Sequence, residues 1–175
     1  MINSKPKRLH DTFYLNENRY KKTKDSFKFL IQILRKNILK NSKKSLADIG
    51  CANGELIYNI KKNFKNLDIT GFDIRKDLLT KAKKNNSPDI KFKKFDIKKT
   101  YKATKKFDIV ICSGVLSSIN EIEKTLSNLI NMTKPGGKIF IFEAFNPYPY
   151  NVFTKYVNLE KPNIYQYGGN IFSIK

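Results

Sequence analysis

Tryptophan is absent from this chain of 175 residues, histidine occurs once and cysteine twice. A lone histidine, His10, excludes a His-rich metal site and leaves little imidazole for acid–base work. Cys51 and Cys112 stand far apart, outside any metal-ligand or redox spacing. A disulfide framework is therefore not expected, and two free thiols suit a reducing cytoplasm. No run of about 18 apolar residues occurs, so no helix is expected to cross a membrane. The start, MINSKPKRLHDTFYLNENRY, has no apolar stretch behind its charges, which is not the form of a secretory signal. Acidic residues are also scarce, 15 against 35 basic, for a net charge of +20.

That charge suits a polyanionic partner such as nucleic acid. Its make-up points elsewhere. Lysines number 31 and arginines only 4, and Lys, Asn and Ile together make up 71 of the 175 residues. All three have A/T-rich codons, so the base composition of the gene accounts for much of the charge. Arginine, which recognises phosphates and base edges with a planar fork, is what the chain has least of. Nucleic acid is accordingly the less favoured partner, a small molecule the more favoured. The charge is uneven: residues 1–44 hold 13 basic and 3 acidic side chains, half the net charge.

At roughly 150 residues per domain, 175 residues predict one domain. Phe27, Leu30, Ile31, Leu34 and Ile38 recur at spacings of three and four, predicting a helix from about Asp25, capped by Asp25 or Ser26. From residue 45 the rhythm alternates. Short apolar runs at 45–49, 68–73, 89–95, 107–112 and 138–143 read as strands. Helical patterns lie at 55–64, 77–84 and 119–132, and Pro135-Gly136-Gly137 reads as a tight turn. Strands alternating with helices predict an α/β fold, a mostly parallel sheet with helices on both faces. Such sheets bind ligands beyond the carboxyl ends of their strands.

Four strand ends carry distinct chemistry. Asp48-Ile49-Gly50-Cys51-Ala52-Asn53-Gly54 is a Gly-x-x-x-Gly loop entering a helix, neither the dinucleotide Gly-x-Gly-x-x-Gly nor a P-loop. Asp73 follows about 20 residues later, where a carboxylate can take both hydroxyls of a ribose. Asp96, with the amide of Ile97, can read an adenine edge, and Ile74 or Ile97 can cover its ring. Ser113 and Gly114 leave room for a ligand.

The series LADIGCANGEL, ITGFDI, KFKKFDI, FDIVICSGVL and KPGGKIFIFE, over residues 44–145, resembles the class I S-adenosylmethionine-dependent methyltransferases. The resemblance implies a Rossmann-like sheet and S-adenosyl-L-methionine as cofactor. It implies that Asp48, Gly50, Cys51, Ala52 and Gly54 hold the methionine part. Asp73 then meets the ribose, Asp96 and the amide of Ile97 the adenine, with Ile74 or Ile97 over its ring, and Ser113 and Gly114 the methyl end. Ala52 stands where the family often has glycine. No Pro-Pro-aromatic motif follows the fourth strand, so amino-methylation of nucleobases is disfavoured. His10, Tyr14 or Tyr20 on a flap, and Glu143 at the fifth strand end, are candidates for contact with substrate, and no catalytic base is assigned.

The family sheet normally closes with an antiparallel strand pair, which the 32 residues after Glu143 are expected to lack or shorten. The chain thus divides into a basic segment and helix (1–43), a cofactor-binding core (44–145) and an aromatic substrate-side or lid segment (146–175), expected to be truncated. The leading reading is a cytoplasmic methyltransferase acting on a small molecule, with a sugar or cell-surface precursor implied by the resemblance of FNPYPYNVF and GGNIFS to bacterial methyltransferases encoded near polysaccharide genes. The alternatives are an RNA methyltransferase using the basic amino-terminal segment, and a non-catalytic remnant.

Overall fold

The computed structural model describes residues 14–102, 105–159 and 161–175. Its elements are helix α1 (Asp25–Asn37), strand β1 (Ser45–Ile49), α2 (Glu55–Asn63), β2 (Asp68–Asp73), α3 (Lys76–Asn85), β3 (Lys91–Lys94), β4 (Phe107–Ser113), α4 (Glu123–Met132), β5 (Thr133–Phe142), β6 (Phe145–Asn146), β7 (Lys155–Asn158), β8 (Lys161–Tyr167) and β9 (Phe172–Ser173). The first five strands form one parallel sheet in the order β3-β2-β1-β4-β5. The strand order reverses at β1, between β2 and β4, the place where this architecture opens a ligand crevice.

Two apolar clusters sandwich the sheet. Side chains alternate along each strand, so successive residues enter different clusters. Leu46, Ile69, Phe92 and Ile111 face α1, α2 and α3 through Leu34, Ile57, Ile60 and Ala82. Ala47, Ile49, Phe72 and Val110 face α4 through Leu129 and Met132. Every residue of β1 is buried. Burying one Leu or Ile side chain contributes about 1.5–3 kcal/mol, so β1 anchors both layers.

The structure corrects several expected boundaries. Lys24, not Asp25 or Ser26, precedes the first turn of α1 and makes no side-chain cap. Asp25 instead pairs with Lys28 at 2.8 Å. The helix expected over 119–132 begins only at Glu123, after a single 3-10 turn at Leu116–Ser118, because Ile119 is extended and buried in the second cluster. The tight turn expected at Pro135-Gly136-Gly137 is a bulge inside β5. There the pairing with β4 jumps from Phe107↔Thr133 to Ile109↔Lys138, and Gly136 has φ +72°. Beyond the main sheet, β7 pairs antiparallel with β8.

The carboxyl-terminal residues are pinned by Asn170. Its side-chain amide donates to the carbonyl of Ile119 at 3.1 Å and to Asn120 Oδ1 at 3.0 Å, and its Oδ1 accepts from the Thr154 amide at 3.0 Å.

Candidate functional site

The loop leaving β1 is held in left-handed backbone, with φ +73° at Gly50, +47° at Ala52 and +81° at Gly54. The amides of Gly50 and Cys51 both donate to the Phe72 carbonyl, at 2.8 and 3.0 Å. A Cβ at Gly50 would stand 2.3 Å from Val115 Cγ2, so only glycine fits beneath the β4 loop. Asp73 fastens the loop to the end of β2: its Oδ2 accepts from the Ala52 amide at 2.9 Å and its Oδ1 from the Arg75 amide at 2.8 Å.

Asp48, at the end of β1, is 2% exposed, and its Oδ2 has no hydrogen-bond partner among the described residues. Burial, and then the charge of Asp73, push its carboxyl up to about 8. An orphaned acceptor at that depth costs about 1–3 kcal/mol unless a donor reaches it.

The amino-terminal residues wrap this loop from outside. The Tyr20 hydroxyl donates to the Asn53 carbonyl, and its ring meets Tyr58 edge-on at 5.0 Å. Burial pushes the Tyr20 hydroxyl up to about 12, so it stays a donor at neutral pH. The Asn53 side-chain amide donates to the Tyr14 carbonyl at 2.9 Å. Lys81 Nζ donates to the carbonyls of Leu15 and Glu17 at 2.7 and 2.9 Å. Lys24 pairs with Glu17 at 3.0 Å and lies over the Tyr14 and Phe27 rings. Tyr14 thus lines the cleft as the sequence anticipated, whereas Tyr20 buttresses the loop from behind. His10 lies outside the described residues.

The cleft has a volume of about 540 Å³. It brings together Asp48, Gly50, Cys51, Ala52, Asp73, Ile74, Asp96, Ile97, Ser113 and Gly114. Gly54 is not on its wall; it turns the backbone into α2, its amide donating to the Cys51 carbonyl at 2.9 Å. Ile74 is 51% exposed and presents a bare apolar face, while Ile97 is buried. Both thiols are free and buried.

Glu143 closes the far end. Its Oε1 accepts from the Leu116 amide at 2.7 Å, and partial burial raises its carboxyl. Phe27, Val115, Ile119 and Phe142 form an apolar wall beside it. Sequence reasoning missed Lys24, Ser26 and Phe27 as lining residues, because their approach to β1 is made only by the packing of α1. It also missed Asn128. That side chain donates to the carbonyls of Ile97 and Lys99 at 2.6 and 2.8 Å and so holds the strand-end segment bearing Asp96. The available signal was a polar residue on the face of α4 that also buries Thr125, Leu129 and Met132.

Comparisons with known proteins agree with this geometry. A family model described as a methyltransferase domain matches residues 40–161. A malonyl-[acyl-carrier protein] O-methyltransferase of Halalkalibacterium halodurans is 29% identical over 125 residues, 67% of this chain and 46% of that protein. A ubiquinone biosynthesis O-methyltransferase of Coxiella burnetii is 29% identical over 115 residues, 62% of this chain and 48% of that protein. The chain spans about half the length of the curated relatives it matches. Among solved structures, a TehB-like SAM-dependent methyltransferase from Corynebacterium glutamicum superposes with TM-score 0.63 at 20% identity, covering 75% of this chain and 71% of that one. At that identity the likeness shows the fold.

Proposed function

The chain belongs to the class I S-adenosylmethionine-dependent methyltransferases, and we propose that its cleft binds S-adenosylmethionine and delivers the methyl group to a small-molecule acceptor. The observation that carries this reading is the buried, unpartnered Asp48 oxygen facing a loop tied to Asp73. An acceptor held ready at that depth suits a cationic donor such as the ammonium of the cofactor's methionine part.

The remaining residues fit the same ligand. Asp73, held at the end of β2 by the Ala52 and Arg75 amides, stands on the cleft wall where a carboxylate can meet ribose hydroxyls. Asp96, Ile97 and exposed Ile74 line the cleft together, where the carboxylate and the Ile97 amide would meet the adenine edge and Ile74 would cover its ring. Gly50, Cys51 and Ala52 pass their backbone close to the methionine part, and Gly54 sets the turn that lets them. At Gly114 a Cβ would meet nothing within 4 Å, which leaves space at the methyl end beside Ser113.

When bound, the cofactor supplies a methyl group on a positive sulfur, already activated for in-line displacement. The protein's part is then positioning and exclusion of water. Phe27, Val115, Ile119 and Phe142 supply a dry wall against which an acceptor ring can lie. Glu143 is the carboxylate at that end and contacts the acceptor. A sugar or cell-surface precursor remains the suggested acceptor class, and the O-methyltransferase names of the two relatives support an oxygen atom as the target.

The test is transfer from methyl-labelled S-adenosylmethionine to a cell extract split into small-molecule and RNA fractions. Label entering the small-molecule fraction, and falling with Glu143→Gln, is expected. Label in RNA alone would favour the RNA reading. Absence of label from both, by protein that binds cofactor, would favour the non-catalytic one.

A further inference from the structure

Residues 91–106 carry eight lysines and one acid, Asp96, a net +7 in sixteen residues. No other stretch of that length is so one-sided, and the fold gathers it further. The parallel register pairs Thr70 with Lys91 and Phe72 with Lys93, which puts both lysines on the Phe72 face of the sheet. Residues 95–101, in the crossover from β3 to β4, fold onto that same face. Tyr101 meets Phe72 and Phe95 edge-on, at 6.3 and 5.5 Å. The amide of Tyr101 donates to Asn128 Oδ1 at 3.1 Å, and Asn128 also holds the carbonyls of Ile97 and Lys99. β3 is an outer strand of the sheet. Strand edge and crossover thus bring their lysines to one outer rim of the sheet, with Lys94, paired with Asp73, on its opposite face.

Two of the eight are spoken for: Lys91 and Lys105 meet Asp68 at 3.2 and 2.8 Å. Lys93, Lys94, Lys98, Lys99, Lys102 and Lys106 are exposed and have no carboxylate within ion-pair distance among the described residues. Crowded like charges oppose the compact state unless an external anion offsets them.

We infer that this rim is a docking surface for the phosphodiester backbone of a single-stranded nucleic acid, held without regard to base sequence. Lysine serves phosphate as a point charge, which needs no planar fork. A protein partner or a membrane would need apolar contacts as well as charge. None of the large, exposed apolar side chains among the described residues lies in 91–106. The aromatics of the segment are committed inward: Phe92 belongs to one core cluster, Phe95 and Tyr101 pack on the other, and the Tyr101 hydroxyl donates to the Lys105 carbonyl at 2.9 Å. Without a free ring to stack on bases, the rim reads backbone alone. It lies on the β3 side of the molecule, away from the acceptor wall at β5, so the inference stands or falls independently of the acceptor.

The test is fluorescence anisotropy with an end-labelled oligothymidylate as probe. The wild type is compared with a rim variant (Lys93→Gln, Lys94→Gln, Lys99→Gln, Lys102→Gln) and with an amino-terminal variant of equal charge (Lys21→Gln, Lys22→Gln, Lys36→Gln, Lys40→Gln). Lys98 stays untouched because it borders the cofactor cleft. Titrations run between about 50 and 200 mM KCl, and each phosphate contact adds about 0.7 to the slope of log K against log salt. The rim variant should lose about tenfold or more in affinity at the lower salt, with a slope shallower by about two to three. The amino-terminal variant should stay close to wild type. Equal losses in both variants would overturn the proposal, leaving diffuse charge. Tighter, rim-dependent binding of polyglutamate or of phosphatidylserine vesicles would also overturn it, in favour of an acidic protein or a membrane. Should the rim variant melt early, Lys99→Gln and Lys102→Gln singly read the slope instead.

Discussion

β1 and β5 are both apolar strands of one parallel sheet, yet the first is buried at all five positions and the second at none of its ten. The difference lies in their neighbours. β1 has β2 on one side and β4 on the other, with a helical layer over each face. β5 has β4 alone, a bulge, and Phe142 left 37% exposed beside Phe29. Composition makes a strand, but neighbours decide how firmly its end is held. The site divides accordingly. Most of the residues proposed to face the cofactor follow β1, β2 and β4, each paired on both sides, while Asp96 and Ile97 follow the outer strand β3 and are held by Asn128 instead. Of the residues proposed to face the acceptor, Phe142 and Glu143 lie at the end of β5, where shape can vary without disturbing the core.

The contrast can be broken most sharply in the core itself. Ile111 in β4 is fully buried, so Ile111→Ala should cost about 2–5 kcal/mol. Ile141→Ala, on the half-buried β5, should cost well under half of that. Urea unfolding of both variants measures the gap, and equal costs would mean that β5 is as enclosed as β4.

Glycine substitutions sharpen the comparison at the loops. Gly50 and Gly136 share nearly the same left-handed backbone, φ +73° and +72°. A Cβ strikes Val115 at the first and nothing within 4 Å at the second. Gly136→Ala should cost only the backbone term, about 1–2 kcal/mol. Gly50→Ala adds overpacking of about 1–3 kcal/mol and should also abolish cofactor binding, read by thermal shift with S-adenosylhomocysteine.

A further contrast concerns pH. The Asp48 carboxyl is raised in the fold, to about 8. The folded state therefore holds a proton that the unfolded chain releases near 4. Stability from this group is full below the unfolded value and is lost as pH rises through the folded one. Asp48→Asn should remove that decline. Measured against the variant, the wild type should lose stability steadily between roughly pH 4 and 9. Parallel melting curves for the two proteins over that range would contradict the assignment.

Much of this was legible in the sequence because the enclosed strands are written as continuous apolar runs ending in glycine or aspartate. SLADIG and ITGFD announce both the strand and the chemistry at its end. The less enclosed regions were less legible. Pro135-Gly136-Gly137 punctuates a turn and a bulge equally well, and only the pairing with β4 distinguishes them. Phe27 reads as one more residue of an apolar stripe, and nothing local shows that its ring reaches the cleft. Asn128 and Asn170 act at a distance, pinning segments remote in sequence through side-chain amides. Such contacts exist only once the sheet has assembled.

The central claim is that the loop between Asp48 and Asp73 holds the cofactor. The most direct measurement is calorimetric titration of the wild type and Asp73→Ala with S-adenosylhomocysteine. Micromolar-range binding is expected for the wild type, with a loss of about 1.5–3 kcal/mol in the variant as a charge-assisted contact disappears. A folded wild type that does not bind, or an Asp73→Ala that binds equally well, would contradict it.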